Sequence, residues 1–142
     1  MADLSAFATK DKADEGVILP VKIKGTKVPL AIKVYGSDSD VVIEHDKQKL
    51  RKLGIGRKGK TELNEDDLEE LFDKQDEDYV IRIGGIYSYD WEKGKVVEND
   101  PVELFGKVLT NDVESYRFLL EKMPSLKEWI KGQSDDRDNF LG

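Results

Sequence analysis

The sequence predicts an α+β fold in which an N-terminal β-hairpin packs on four to five α-helices of a single domain. Two observations support this: apolar residues alternate with period two before residue 36, and they recur at helical spacing after residue 111. With 142 residues, 38% of them hydrophobic, the chain can form one domain with its own core. The domain is predicted at residues 17–134, between a flexible polar leader (residues 1–16) and an acidic tail (residues 135–142).

The first predicted element is the β-hairpin. Residues 17–23 and 28–35 alternate between apolar and polar side chains on either side of a turn formed by residues 24–27. Each strand therefore has one dry face and one wetter face. Because two strands alone are not stable in water, the dry face is expected to lie on helices.

A helix and a basic linker are predicted next. Ser37 is the candidate N-cap, and the helix is expected to run to about Leu53, where Gly54 ends it. Residues 47–60 contain seven Lys and Arg residues and no acidic residue. A flexible basic linker is therefore predicted at residues 54–61.

The acidic segment that follows is predicted to begin a further helix. Asn64 is a candidate N-cap, and apolar residues continue at helical spacing to Ile83, so the helix is expected to end at Gly84–Gly85. Residues 79–83 also fit a strand, because their β-propensity is high. The sequence alone leaves this alternative open.

Residues 87–110 are predicted to form an irregular loop or a small second hairpin. In the hairpin alternative, residues 102–104 pair with residues 107–109. Trp91 lies in an aromatic-rich part of this segment, residues 87–91. It is a candidate partner-binding residue, although anchoring of the segment to the core explains it equally well.

Two amphipathic helices and a short tail are predicted at the C-terminal end. Asn111 is the expected cap of a helix that runs to Lys122, and Pro124 opens a helix that runs to Lys131. Trp129 lies on the apolar stripe of the second helix. Phe140 and Leu141 close the tail; they either pack on the domain's own core or, together with Trp129, bind a partner.

The composition argues against several classes of function. A net charge of −7 and a pI near 4.8 disfavour general binding to nucleic acid or anionic membranes. Cysteine is absent, which excludes disulfides and thiolate metal sites, and His45 is the only histidine. No secretory signal or apolar run of membrane-spanning length is visible. We therefore predict a cytoplasmic, non-enzymatic protein with no catalytic, metal-binding or cofactor-binding residues.

Residues 54–61 match the P-loop pattern G-x-x-x-x-G-K-[ST], which makes a small nucleotide-binding protein an alternative. A functional P-loop connects a buried strand to a helix whose free N–H groups bind phosphate. Here a basic helix precedes the match and acidic residues follow it, so the surroundings would repel a nucleotide. Binding of nucleic acid through residues 47–60 is a further alternative, but this stretch has no interleaved aromatic residues.

From Ile83 onward, the order of features resembles the tail assembly chaperones of long-tailed bacteriophages and prophages. The matching features are a loop with a tryptophan, a Gly-containing turn, a helix in which a glutamate precedes a Leu-Leu pair, a proline, a second amphipathic helix and a closing Asn-Phe-Leu. In this sequence they are Trp91, Lys93-Gly94 or Phe105-Gly106-Lys107, Glu114 to Leu119-Leu120, Pro124, Leu126-Trp129-Ile130 and Asn139-Phe140-Leu141. The N-terminal hairpin and the basic helix after it are also similar to some members.

The resemblance implies a non-catalytic protein that binds the tape-measure protein during tail assembly and helps to recruit tail-tube subunits. Such a protein acts in the host cytoplasm and is absent from the mature virion; whether it forms a homo-oligomer is left open. The polar stretch between Tyr87 and Asn111 departs from the family pattern. A structural tail or connector component of a phage or prophage is the nearest alternative.

Overall fold

The strands form a four-stranded antiparallel sheet and a separate two-stranded hairpin, and helices pack on the sheet. This confirms the predicted α+β fold. The computed structural model describes residue 4, residues 9–57 and residues 77–141, with only the backbone described for 52–57. The helices are α1 (Lys10–Glu15), α2 (Asp40–Arg57), α3 (Val113–Lys122), α4 (Ser125–Asp135) and a 3₁₀ helix (Arg137–Phe140), and residues 77–80 are also helical. The strands are β1 (Val17–Ile23), β2 (Thr26–Val34), β3 (Ile83–Asp90), β4 (Lys95–Val97), β5 (Val102–Leu104) and β6 (Lys107–Leu109).

The predicted N-terminal hairpin is confirmed. Strands β1 and β2 pair in antiparallel register from Val17 opposite Val34 to Ile23 opposite Thr26. The turn contains two residues instead of the expected four: Lys24 and Gly25, with φ of 51° and 81°. Positive φ at both central residues is the geometry that matches the twist of paired strands.

The hairpin is half of a larger sheet, which the sequence did not predict. Strand β3 pairs with β2, and β4 pairs with β3, so the order is β1-β2-β3-β4. Residues 87–90 and 95–97 are thus strands and not loop. Residues 102–104 and 107–109 do form the predicted small hairpin, as β5 and β6.

Neither prediction for residues 79–83 is correct. Residues 77–80 are helical, residues 81–82 form a turn, and β3 begins at Ile83. Gly84 and Gly85, expected to end a helix, lie inside β3 because tyrosine rings pack on them. A Cβ atom at Gly84 would be 2.9 Å from Tyr35, and one at Gly85 would be 2.6 Å from the hydroxyl of Tyr87. Small residues at these positions thus permit close packing on the sheet.

Helix α2 begins later and ends later than predicted. Its first residue is Asp40, and Ser39, not Ser37, accepts a hydrogen bond from the Val42 N–H (3.4 Å). The helix continues through Gly54 to Arg57, so half of the predicted basic linker is helical. Gly54 and Gly56 both lie in the helix, although a glycine in a helix interior costs about 1 kcal/mol relative to alanine. Residues 58–61 lie outside the described residues, as does the predicted cap at Asn64.

The two C-terminal helices are confirmed, with one corrected cap. Asp112, not Asn111, caps α3 and accepts a hydrogen bond from the Ser115 N–H (2.8 Å). Asn111 accepts instead from the Ile86 N–H (2.9 Å) and so ties this corner to β3. Pro124 precedes α4 as predicted, and α4 extends four residues beyond Lys131, to Asp135.

The core lies between the sheet and helices α3 and α4. Its buried residues come from β1, β2, β3, β6, the helical residues 77–80 and helices α3 and α4; they are Val21, Leu30, Ile32, Val34, Val80, Ile83, Ile86, Leu109, Tyr116, Leu119, Leu120, Leu126 and Ile130. The alternating faces predicted for β1 and β2 are thus largely confirmed. Ala31 is buried as well, because β2 is an inner strand of the sheet.

The two ends of the described chain meet at Gly36. Helix α1, residues 35–39 and the 3₁₀ helix form this region, which we call the terminal clasp. Ala13 and Phe140 lie 2.6 Å and 3.2 Å from the position that a Cβ atom on Gly36 would occupy. The Ser37 N–H donates to the carbonyl of Ser134 (2.9 Å), whose own hydroxyl donates to the carbonyl of Tyr35 (2.7 Å). Residues 10–15 of the predicted leader are therefore an ordered part of the fold.

Two aspartates connect helices across gaps in the sequence. Asp14 of α1 accepts a hydrogen bond from the Asp40 N–H (2.7 Å) and one from Lys10 (3.2 Å); together these outweigh desolvation and lower the pKa of Asp14. Asp78 contacts His45 (2.6 Å) and Lys49 (2.7 Å) of α2. Burial raises the pKa of Asp78, but these two partners lower it below its ordinary value.

Candidate partner-binding site

A largely apolar groove of about 300 Å³ lies between the sheet and the β5–β6 hairpin. Leu30 and Leu119, both buried, lie at its base, and Met123, at the C-terminal end of α3, is half-buried beside them. The full lining is Val28, Pro29, Leu30, Ser88, Tyr89, Asp100, Pro101, Val102, Glu103, Leu104, Leu119 and Met123. We call this feature the open groove. Its size is at the lower end of the range for ligand pockets.

Trp91, the first predicted partner-binding residue, lies next to the open groove. Its ring packs edge-on against Tyr89, with ring centroids 5.1 Å apart, and its indole N–H donates to the carbonyl of Val28 (2.6 Å). Both contacts are to lining residues, so Trp91 supports one wall of the groove. The indole N–H is already used in this way, and Tyr89 and Lys27 (5.6 Å) lie against the ring.

The β5–β6 hairpin presents an aromatic side chain to solvent at its tip. Phe105 is 80% exposed, and its φ of 51° places it in the left-handed region, followed by Gly106 at 77°. A phenylalanine in this conformation costs free energy, because Asn, Asp and Gly fit such a turn position better. Val108, on the same hairpin, is also exposed. Exposure of Phe105 and Val108 to water does not stabilise the isolated chain. Exposed apolar residues of this kind are typical of binding surfaces.

The other three predicted partner-binding residues are not in the groove. Phe140 is buried in the terminal clasp with 2% of its surface exposed, whereas Leu141 is 43% exposed. Trp129 is half-buried against the core. A partner could reach Leu141 directly but Phe140 only after the clasp opened. Partner binding through these residues stays a prediction.

A second, smaller cavity of about 210 Å³ lies in the terminal clasp. Its lining is mainly polar or charged and includes Ser37, Asp38, Asp135 and Arg137 beside Phe140. Arg137 lies 3.7 Å from Asp38, and Ser37 donates a hydrogen bond to Asp135. These polar groups already contact one another, so the cavity belongs to the closure of the clasp.

The structure bears only partly on the P-loop match. Residues 54–57 are helical and continue α2, so a helix and not a strand precedes the glycines. A phosphate-binding loop requires free backbone N–H groups that follow a strand. Residues 58–61, including Lys60 and Thr61, lie outside the described residues.

The described residues include no cluster of three or more His, Asp or Glu residues that could hold a metal ion. His45, the only histidine, is half-buried on α2 and bonded to Asp78. Within the same ranges, no helix has both the length and the apolar character needed to cross a lipid bilayer.

Comparisons with protein-family models, with curated proteins and with solved structures found no significant match to this chain.

Sequence reasoning found Trp91 but missed the groove beside it. Leu104 and Met123 line the groove, yet the sequence marks Leu104 only as part of a short apolar stretch and Met123 as part of a helical apolar stripe. Phe105 carried a usable signal, since a Phe-Gly pair between two short alternating strands places an aromatic residue at a turn tip. The groove itself had no local signal, because its lining comes from four separate stretches of the chain.

Proposed function

We propose that this chain is a non-catalytic tail assembly chaperone that binds the tape-measure protein of a phage or prophage in the bacterial host cytoplasm. In this role it would hold apolar segments of a long helical partner until the tail tube forms around them. Recruitment of tail-tube subunits and absence from the mature virion belong to the same proposal.

The observation that carries the proposal is the open groove with Phe105 exposed beside it. An amphipathic helix can insert its apolar side chains above Leu30 and Leu119, while its polar face remains in water. Aromatic and methionine side chains adapt to varied apolar partners, and Tyr89 and Met123 are of these types. A groove of this size releases its partner more readily than a deep pocket does, which suits a temporary complex.

The chain's charge agrees with such a role. A net charge of −7 keeps the protein soluble while it carries an apolar partner segment. The sequence resemblance to tail assembly chaperones, which includes Trp91 and the pair of helices around Pro124, independently suggests the same role.

Co-expression tests the proposal. The tape-measure protein encoded nearest to this chain's gene is expressed with and without the chain, and the soluble fraction of the tape-measure protein is measured. We expect the chain to raise that fraction severalfold. Equal solubility in both cases would refute the proposal.

A matched pair of variants assigns the effect to the groove. Met123→Lys places a charge in the groove and should abolish the gain in solubility. Leu50→Lys changes an exposed apolar residue of α2, which is not part of the lining, and should preserve it. Circular dichroism checks that both variants fold. Detection of the chain in purified virions by mass spectrometry would instead favour a structural tail or connector component.

A further inference from the structure

The open groove is apolar at its base and acidic at its rim. Asp100 and Glu103 are the charged residues of its lining, and both are exposed. Neither has an ion-pair partner among the described residues. Acidic residues elsewhere do form such pairs, for example Asp14 with Lys10 and Asp78 with Lys49. The groove thus presents two carboxylates that the described chain leaves uncompensated.

The lysines adjacent to the lining residues make other contacts. Lys27, next to Val28, lies over the ring of Trp91 (5.6 Å). Lys107, paired with Leu104 in the hairpin, lies over the ring of Phe118 (4.6 Å), and Lys122 contacts the same ring (5.8 Å). Each of these cations is therefore held on an aromatic face. The negative charge of the groove remains available to a partner.

We propose that the open groove binds a basic amphipathic helix, in which Lys or Arg residues flank an apolar stripe. The apolar side chains would lie above Leu30 and Leu119, and the flanking cations would pair with Asp100 and Glu103. Such charges contribute mainly to the rate and selectivity of association, because rim ion pairs are partly solvated. This inference rests on the proposed function in that both assign partner binding to the groove.

Three synthetic helical peptides with the same leucine stripe test the inference. Their flanking positions carry lysine, glutamine or glutamate, and binding to the full chain is measured by calorimetry. We expect the lysine peptide to bind at least about fivefold more tightly than the glutamine peptide, and the glutamate peptide to bind most weakly. Added salt should reduce the advantage of the lysine peptide. Equal affinities, or no binding of the lysine peptide, would overturn the inference.

A charge-matched control separates the rim from the overall charge of the protein. The double variant Asp100→Asn/Glu103→Gln should bind the lysine peptide about fivefold more weakly and the glutamine peptide unchanged. The control Asp46→Asn/Glu128→Gln removes the same two charges from exposed positions outside the lining, and it should bind like the unmodified chain. If both double variants weaken binding equally, the rim has no specific role and the inference fails.

The two proposals can fail separately. Binding of the lysine peptide without any effect on tape-measure solubility would support the groove chemistry and refute the chaperone function. If Asp100→Asn/Glu103→Gln and its control kept the tape-measure protein equally soluble, the chaperone function would be supported. A basic ligand for the groove would then be refuted.

Discussion

The terminal clasp and the open groove both combine apolar and polar residues, but the two regions differ in how far these residues are buried and paired within the chain. In the clasp, Phe140 is buried against Gly36, and the serines around it are hydrogen bonded within the chain. At the groove, the rim carboxylates have no ion-pair partner among the described residues, and Phe105, next to the lining residue Leu104 in the chain, is exposed at the hairpin tip. The clasp is closed by the chain itself, whereas the groove leaves its surface available.

This difference separates residues that stabilise the fold from residues available for binding. Burial of an aromatic side chain stabilises the folded state, so Phe140 needs no partner to explain it. Exposure of Phe105 in a left-handed conformation has the opposite effect on stability. The predictions below test this separation.

The largest effect is expected at Phe140. Phe140→Ala should lower the free energy of unfolding by about 3–5 kcal/mol, because it removes a buried aromatic ring and leaves a cavity. Leu141→Ala, at the exposed neighbour, should change it by less than about 0.5 kcal/mol. Denaturant unfolding measures both. Unchanged stability in Phe140→Ala, together with loss of partner binding, would show that Phe140 serves a partner and not the clasp.

Gly36 is expected to be the next most sensitive position. Gly36→Ala brings a methyl group to within 2.6 Å of Ala13, and the resulting overpacking should cost about 1–3 kcal/mol. Gly132→Ala is the control: it lies in α4, and an added Cβ contacts nothing within 4 Å. That variant should gain up to about 1 kcal/mol from higher helix propensity. Thermal unfolding measures both variants. Equal changes in stability for Gly36→Ala and Gly132→Ala would contradict the close packing at Gly36.

At the hairpin tip, stability and binding should change in opposite directions. Phe105→Asn relieves the left-handed strain and should raise the free energy of unfolding by up to about 1 kcal/mol, while binding of the tape-measure protein weakens. Lys24→Asn, at the equivalent position of the β1–β2 turn, is the control and should leave binding unchanged. If Phe105→Asn instead lowered the free energy of unfolding and left binding unchanged, Phe105 would stabilise the fold and would not contribute to binding.

The smallest effect concerns acid sensitivity of the clasp. The pKa of Asp14 is lowered in the folded state, chiefly by the hydrogen bond from the Asp40 N–H. Its contribution to stability is therefore complete above the ordinary aspartate pKa of about 3.9 and is lost as pH falls through the lower folded-state value.

Asp14→Asn should accordingly reduce stability near pH 7 and have little effect at about pH 2, relative to the unmodified chain. Chemical denaturation at both values measures the difference. A destabilisation of equal size at both would show that the Asp14 carboxylate does not stabilise the clasp through its charge.

Local patterns in the sequence were sufficient for several elements. The β1–β2 hairpin and helices α3 and α4 were predicted, and the β5–β6 hairpin was one of two alternatives, because alternation, helical spacing and cap residues act within a few neighbouring positions. The caps themselves were misplaced by one or two residues, since Asn111 and Asp112, or Ser37 and Ser39, are equally suitable by type. Which of them caps depended on tertiary hydrogen bonds, such as that from Ile86 to Asn111.

Strand β3 shows where local patterns are insufficient. Its glycines suggested the end of a helix, but they lie inside the sheet because Tyr35 and Tyr87 pack on them. The contact of Tyr35 with Gly84 joins residues almost fifty positions apart and cannot be read from the segment itself. The same holds for the open groove, of which only the adjacent Trp91 was identified in advance.

The sequence by itself determined the α+β class, the N-terminal hairpin and the acidic charge, because these depend on periodicity and composition. Only the tertiary structure decided that Phe140 is buried while Phe105 is exposed, and that Asp100 and Glu103 border an apolar groove. Each phenylalanine has a leucine as an immediate neighbour, Leu104 or Leu141, so this local sequence does not distinguish them. Burial depends on which distant surfaces fold against a residue, and that is a property of the whole chain.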